Sequence, residues 1–381
     1  MSPQRDLLYE RLYKHVLDDI RTGALRSGDR VPSEKELARA HGVSRITSMR
    51  ALQNLERAGL VDRVRGKGTF VASDVARVLD APSADGARPR RSRRLTMRIA
   101  FLLPDASPAY GLELLNAIEE RAAENDFSMV LKRTHGLQEE EERAIDRLVH
   151  SGSVDGLIVF PVNGEFYNAS LLRLALAKSP LVLVDRYLRG IAATSVVTDN
   201  LAAARELTGH VLDRGHRHVA FVSSPPKNTS SIEDRLAGFG TAFSQRGLGL
   251  DGQHVLTTLT IGMRMAGSNG QRYARAGIES DREVVREFIV THESITAFIA
   301  SEFPIAQLIR DVMSELGRLD GTMITCFDSP RDRFVEPHFT HIQQDEHEIG
   351  CRAVDLLLSQ LEGTQTPSRS IVPHELVRLP E

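Results

Sequence analysis

The 381-residue chain has 41% hydrophobic and 26% charged residues, a composition typical of a globular protein of two or three compact units. It contains no apolar run of about 18 residues, which excludes a membrane span of the usual kind. The net charge of −3 conceals an asymmetry, because residues 1–98 carry +9 and the remainder carries −12. A basic front end and an acidic body indicate a polyanionic partner for the front end alone.

The N-terminal segment and the two cysteines predict the cellular compartment and the absence of a cofactor. The segment from Met1 to Glu10 lacks an apolar signal-peptide core, so we expect a cytoplasmic protein with no membrane partner. The two cysteines, Cys326 and Cys351, are not at a metal-type spacing, and we expect both to be reduced thiols. We therefore expect neither a metal nor another cofactor.

The first predicted element is a helix over about residues 6–22, where leucine, valine and isoleucine recur at every fourth position. Ser33 and Glu36 have the spacing of a capping box, which predicts the start of a second helix that ends near His41. A pair of helices that is followed, after a turn, by a third helix is typical of small DNA-binding domains.

A third helix follows the tight turn at Gly42; it is capped by Ser44 and continues to about Ala58. A helix, a glycine turn and a second helix form a helix-turn-helix, whose second helix enters the major groove of DNA. Arg45 and Thr47 lie in the first turn of that helix, where side chains reach base edges.

The segment from Val61 to Val71 predicts a two-stranded wing. Gly66 and Gly68 flank Lys67 at its tip, which lets the backbone and the lysine approach a phosphate or the minor groove. We therefore expect a winged helix-turn-helix domain over residues 1–72.

Residues 73–97 predict a flexible basic linker, because proline, glycine, serine and arginine replace the apolar residues that a core needs. The linker is a solvated spacer or adds non-specific attraction to DNA. Five arginines lie within its stretch "APSADGARPRRSRR": Arg88, Arg90, Arg91, Arg93 and Arg94.

From residue 98 to residue 381, nine short apolar runs alternate with amphipathic segments. This alternation predicts βαβ units and an α/β fold of two doubly wound, Rossmann-like lobes, with ligands bound between them at the carboxyl ends of the strands. We expect one lobe to span about 98–214 and 341–361, and the other to span about 215–340 and 362–381.

The front end resembles the GntR family through "GDRVPSEKELARAHGVSRIT", "AGLV" and "GKGTFV". The resemblance implies that Lys35, Arg45, Thr47 and Gly66 contact DNA, with Ser44 and Lys67 beside them. Where the family usually has an arginine, this chain has Met49. Either the neighbouring Arg50 compensates at the DNA or the operator preference differs.

The larger part resembles the effector domain of LacI/GalR regulators, related to periplasmic sugar-binding proteins, through "VDGLIVFP", "PLVLVDR", "RLAGF" and "HIQQDEHEIGCRAVDLLL". A GntR-type domain joined to a LacI-type domain is the arrangement of arabinose repressors. The family usually has Asn-Asp where this chain has Ser301-Glu302, a departure at the ligand site. The resemblance and the strand-end positions together imply a set of ligand-binding residues: Asp105, Tyr110, Phe160, Asp185, Arg186, Arg235, Glu302, Asp328 and Gln343.

These features predict a regulator that binds double-stranded operator DNA as a homodimer and responds to a small-molecule effector, a sugar or a sugar derivative. A repressor is the favoured form, and an activator of the same architecture is the alternative. A sugar-binding protein without a DNA role is a further alternative, disfavoured by the helix-turn-helix. An enzyme is disfavoured because no nucleophile elbow or phosphate-binding loop is visible.

Overall fold

The computed structural model describes residues 7–64, 67–75, 97–165, 168–260, 271–331 and 337–379. Gly66 of the wing tip and most of the predicted linker lie outside these residues. Within them, no helix is both long enough and apolar enough to cross a membrane.

The N-terminal domain is a three-helix unit with a small antiparallel sheet. The predicted capping box is present, because the Glu36 amide donates to Ser33 Oγ and the Ser33 amide donates to Glu36 Oε2. Gly42 ends the second helix in a left-handed conformation (φ 64°), and Ser44 Oγ caps the third helix by accepting from the Thr47 amide. The elements are α1 (Leu8–Arg21), β1 (Arg30–Val31), α2 (Glu34–His41), α3 (Arg45–Arg57), β2 (Val61–Val64) and β3 (Gly68–Val71).

Lobe 1 of the C-terminal part is a six-stranded parallel sheet in the order β14-β8-β7-β6-β4-β5. Its central strands are fully buried apolar runs, which is the pattern of a parallel sheet covered by helices on both faces. Its elements are β4 (Met97–Leu103), α4 (Leu112–Glu124), β5 (Phe127–Arg133), α5 (Gln138–Ser151), β6 (Gly156–Val159), α6 (Ala169–Leu176), β7 (Leu181–Val184), β8 (Thr194–Thr198), α11 (Glu346–Leu361) and β14 (Arg369–Val372).

Lobe 2 is a second six-stranded sheet, in the order β10-β9-β11-β12-β13-β15, in which only the edge strand β15 runs antiparallel to its neighbour. Its elements are α7 (Asn200–Asp213), β9 (Val219–Val222), α8 (Ser230–Gln245), a 3₁₀ turn (Gly252–His254), β10 (Val255–Leu256), α9 (Gln271–Thr291), β11 (Ala297–Ala300), α10 (Phe303–Glu315), β12 (Met323–Phe327), β13 (Thr340–Gln344) and β15 (His374–Val377). The predicted α/β fold of two doubly wound lobes is confirmed.

The division of the chain between the lobes differs from the predicted boundaries. Helix α7 packs against α8 and the lobe 2 sheet, so the first crossing precedes Asn200 instead of following residue 214. Strand β13 belongs to lobe 2, whereas β14 returns to pair with β8 of lobe 1. The reason is physical: hydrogen-bond pairing decides which sheet a strand joins, and an apolar run does not identify its partner.

Candidate functional site

A cavity of about 130 Å³ lies between the lobes, at the carboxyl ends of strands from both sheets. Parallel sheets place the loops that follow their strands at one edge, which is where such folds bind ligands. Eight of the nine predicted ligand residues line the cavity: Asp105, Tyr110, Phe160, Asp185, Arg186, Arg235, Glu302 and Asp328. The structure thus brings together side chains that are as much as 223 positions apart in the sequence, from Asp105 to Asp328.

The ninth predicted residue, Gln343, does not line the cavity; its neighbour Gln344 does. Gln343 Oε1 instead lies 3.2 Å from His341 Nε2, on the same face of the strand. Successive side chains of a strand point to opposite faces, so one position decides which glutamine faces the cavity. Gln344 is a cavity-lining residue that the sequence reasoning missed.

The lobe 1 wall of the cavity is an aromatic and charged cluster. The Tyr110 hydroxyl donates to Asp185 Oδ1 at 2.8 Å, and its ring meets the Phe160 ring edge to face. Arg186 lies over the face of Phe160 and donates to the Pro161 carbonyl at 2.7 Å. Burial raises the pKa of Tyr110, so its hydroxyl stays protonated and keeps one fixed orientation toward the carboxylate.

Arg235 is the central cation of the lobe 2 wall and is only 5% exposed. Its guanidinium lies 3.9 Å from the centre of the Phe327 ring, donates from Nε to Asn200 Oδ1 and donates from Nη1 to the Ser301 carbonyl. These contacts hold the planar group in place. Among the residues that the structure describes, Nη2 has no hydrogen-bond acceptor, so this nitrogen is available to a ligand.

Asp328 follows β12 in a left-handed backbone conformation (φ 60°), as does Asp185 after β7 (φ 67°). Non-glycine residues seldom adopt this conformation, and it is concentrated at functional sites. Gln344 donates to Asp328 through both its backbone amide and its side-chain amide. Burial nevertheless raises the pKa of Asp328 to about 6, since desolvation outweighs these hydrogen bonds and the nearby charge of Arg235.

Glu302 stands where the family pattern has aspartate, and it begins α10 without capping it. Burial raises the pKa of its carboxyl, against the attraction of Arg235 and Arg186. Within the described part of the chain, its carboxyl has no hydrogen-bond or ion-pair partner. The hydroxyl of the preceding Ser301 is likewise buried without a partner. A ligand that donates hydrogen bonds would satisfy Glu302.

The lining combines four carboxyl groups, two guanidinium groups and several aromatic rings. Carboxylates accept hydrogen bonds from hydroxyls, an arginine donates to them in a fixed fork, and an aromatic ring packs against an apolar face. The cavity is therefore suited to a small molecule that carries many hydroxyl groups.

The predicted DNA contacts fall into two groups. Lys35, Arg45 and Lys67 are exposed, although Arg45 lies 3.5 Å from the Glu34 carboxylate. Ser44 and Thr47 are half-buried and buried respectively, and they bond each other through the helix cap. The predicted contact at Gly66 lies outside the described residues.

Arg50 differs most from its predicted place at the DNA. Its side chain is 3% exposed, and Nε lies 3.1 Å from Oδ1 of Asp155, which is 2% exposed. Asp155 precedes β6 of lobe 1, so the partner of this arginine belongs to the effector domain. Arg50 is thus held away from solvent in this structure, because a carboxylate distant in sequence neutralises its charge.

Comparisons with protein-family models agree with this division of the chain. Residues 8–71 match the bacterial regulatory proteins of the gntR family. Residues 96–261 match the periplasmic binding proteins and sugar binding domain of the LacI family, and residues 208–378 match the periplasmic binding protein-like domain.

Curated relatives and solved structures extend the comparison. An arabinose metabolism transcriptional repressor of Geobacillus stearothermophilus is 24% identical over 93% of this chain and 91% of its own. The regulator PtxS of Pseudomonas plecoglossicida is 26% identical over 88% and 91%. A complex of the transcriptional regulator CelR with cellobiose superposes with a TM-score of 0.62 at 21% identity, over 91% of this chain and 99% of that one. The regulator CcpA of Lactococcus lactis gives 0.63 at 18% identity, over 74% and 98%.

Proposed function

We propose that this chain, which joins a GntR-type winged helix to a LacI-type two-lobed effector domain, is a bacterial transcription repressor controlled by a sugar-like effector. The observation that carries the proposal is the interlobe cavity, which arginines, carboxylates and aromatic rings line together. The same chain also has a helix-turn-helix. The names of the relatives, which include repressors of arabinose and ribose metabolism, support it.

The lining charges favour a neutral hydroxylated effector over a phosphorylated one. Four carboxyl groups face two guanidinium groups, and both arginines already donate to protein atoms. A phosphate would meet uncompensated carboxylates in a buried site, which is costly. A hydroxyl-rich neutral ligand donates to Asp328 and Glu302 and accepts from the free nitrogen of Arg235. We place this ligand in the cytoplasm, together with the DNA.

Contacts across the cleft provide a route by which a ligand changes the arrangement of the lobes. The amide of Ser230, at the start of α8, donates to Glu165 of lobe 1, and its hydroxyl accepts from the Tyr187 amide. The next residue, Ser231, lines the cavity. A ligand that bridges Asp185 and Arg235 would stabilise the lobe arrangement that keeps these contacts, and closure is the standard response of two-lobed binding domains.

We propose a homodimer as the acting species, because a pair of helix-turn-helix units matches the two-fold symmetry of an operator. Effector binding then changes the relation between the two winged helices by a coupling free energy of about 1–3 kcal/mol. A coupling that weakens DNA binding corresponds to a repressor relieved by its effector, whereas the opposite sign corresponds to an activator.

Thermal unfolding against a panel of pentoses, hexoses, uronic acids, polyols, nucleosides and sugar phosphates tests the ligand class. A neutral sugar at a hundred times its dissociation constant should stabilise the protein by roughly 2.7 kcal/mol. DNA recovered from a random-sequence duplex pool then supplies the operator for titrations with and without that sugar. Stabilisation by sugar phosphates alone would contradict the charge argument, and turnover of the bound sugar would favour an enzyme.

A further inference from the structure

We infer that lobe 1 carries a docking surface for the DNA-reading face of α3, so that the chain holds its own winged helix in a form that cannot enter a DNA groove. The docking surface comprises Ser151, Gly152 and Asp155, at the edge of lobe 1 that leads into β6. The inference goes beyond the proposed effector response and rests on the proposed role of the winged helix in DNA binding.

One face of α3 makes the contact. Ile46, Met49, Arg50 and Gln53 follow the spacing i, i+3, i+4 and i+7, which places their side chains on a single face of a helix. The opposite face, which includes Leu52 and Leu55, packs inside the winged helix. The helix therefore has a core-facing side and a second side, and the second side is the one that a helix-turn-helix presents to DNA.

Lobe 1 covers this second side through apolar packing. Ile46 is 3% exposed and belongs to the same hydrophobic cluster as Ile145 and Val154. Tyr9 and Leu12 of α1 join the main core of lobe 1, beside Ala51. The winged helix is thus packed against lobe 1 through two of its helices.

Polar contacts fix the register of the interface. Arg50 and Asp155 form an ion pair in which both side chains are at least 97% buried. Gln53 Nε2 donates to the Ser151 carbonyl at 3.4 Å. A buried guanidinium is stable only beside its carboxylate, so the two domains cannot slide past each other without a large electrostatic cost.

This interface explains why methionine occupies position 49, where the GntR family usually has an arginine. Its Cε lies 2.9 Å, and Gln53 Nε2 lies 2.5 Å, from the position that a Cβ on Gly152 would occupy. The side chain therefore packs directly over the glycine. An arginine, the residue usual in the GntR family, would bring a second charge to an apolar contact. The departure at Met49 fits the docking surface.

The docked form and the DNA-bound form exclude each other, because the face of α3 that carries Met49, Arg50 and Gln53 cannot lie against lobe 1 and in a DNA groove at once. Lys35, Arg45 and Lys67 are exposed in the docked form. Residues 76–96 connect the two domains, and a chain of that length can span up to roughly 70 Å, enough for the winged helix to leave. The apparent affinity for DNA is then the affinity of the released form multiplied by the fraction of molecules in which the helix is released.

The experiment compares two glycine substitutions with matched backbones. Gly152→Asn places a side chain into Met49 and Gln53, whereas Gly317→Asn at the end of α10 meets nothing within 4 Å. Both glycines are left-handed (φ 58° and 65°), a conformation that asparagine tolerates. For the labelling measurement alone, each protein, including the parent, also carries Ile46→Cys with Cys351→Ser, so that maleimide labelling of residue 46 measures release without DNA. Affinity is measured by anisotropy with a random-sequence duplex pool and with duplexes enriched from it.

The inference predicts that Gly152→Asn labels faster at residue 46 and binds DNA at least about tenfold more tightly than Gly317→Asn and the parent. Equal labelling and equal affinity in all three proteins would overturn it. Faster labelling of Gly152→Asn with no gain in affinity would show a contact without an inhibitory role, which also overturns it. No DNA binding by any of the three would refute the proposed function itself.

Discussion

The two ends of the lobe 1 sheet bury charge in different ways. At the carboxyl ends of the strands, Asp185 and Arg186 line an open cavity whose polar atoms are only partly satisfied. At the opposite ends, Asp155 meets a single arginine from another domain, and the pair is sealed from solvent. A few residues of β6 separate Asp155 from Phe160 in the cavity wall.

The difference indicates two kinds of binding. The cavity has more carboxyl groups than cations and retains a free nitrogen on Arg235, so a small polar molecule can complete its hydrogen bonds. The docking surface is already covered by α3, with Asp155 and Arg50 both buried, so it can only be opened by moving a whole domain. Buried polar groups are costly when unpaired, and each end therefore responds sharply to the loss of one group.

The largest expected effect is at the sealed end. Asp155→Asn keeps an oxygen for the Arg98 amide but removes the charge that neutralises Arg50. Losing one partner of a buried pair costs about 3–5 kcal/mol, so the docked form should be largely abolished and labelling at residue 46 should approach that of Gly152→Asn. The control is Asp213→Asn, whose partner Arg246 is exposed and whose loss should cost about 1 kcal/mol or less. If the two substitutions raised the labelling rate at residue 46 to a similar extent, the distinction between sealed and exposed ion pairs would be wrong.

The next effect is at the cavity. Asp328→Asn should weaken effector binding by about 1.5–3 kcal/mol, because a charged acceptor is replaced by a neutral group. The local structure should survive, since Gln344 has a buried Oε1 without a partner and can turn its amide to accept from the new asparagine. Calorimetry with the stabilising sugar measures the loss. Unchanged affinity would exclude Asp328 from the ligand site.

A smaller effect is expected from pH. The pKa of Asp328 is raised to about 6 in the ligand-free protein, so this group favours the folded state most below pH 4 and loses that contribution as the pH rises through 6. A hydroxylated ligand prefers the ionised carboxyl, and binding below pH 6 must release a proton. Effector affinity should therefore fall by up to about tenfold per pH unit as the pH drops from 6 to 5. In Asp328→Asn this dependence should flatten; an unchanged slope would assign it to another group, such as Glu302.

The smallest effect distinguishes two adjacent glutamines. Gln344→Ala removes a donor to Asp328 and should weaken effector binding by about 1 kcal/mol. Gln343→Ala lies on the other face of β13 and should change affinity by less than about 0.5 kcal/mol. Calorimetry on both variants checks the strand register, and the reverse order would place Gln343 in the cavity.

The sequence predicts most of the fold because its signals are local. All nine apolar runs form strands, and the helix that begins at Leu112 follows its amphipathic pattern to Glu124. Strands β14 and β15 are harder to predict, because they are short, half-exposed and interrupted at Pro373. Their assignment to different lobes depends on pairing with β8 and β13, which no local pattern encodes.

The site divides in the same way. Asp185 and Asp328 are predictable because each directly follows a buried strand. Gln344 is not, because its face depends on the register of β13. Arg50 is not, because its charge alone suits either a phosphate or a carboxylate, and only the tertiary structure brings Asp155 beside it.

The central claim, that a molecule bound between the lobes controls the winged helix, is tested most directly by a DNA titration with the sugar that stabilises the protein. The account predicts that a saturating concentration of this sugar changes the affinity for the enriched duplex by about 5–150-fold, and that Asp328→Asn shifts the required concentration upward. Sugar binding that leaves the DNA affinity unchanged would contradict the account.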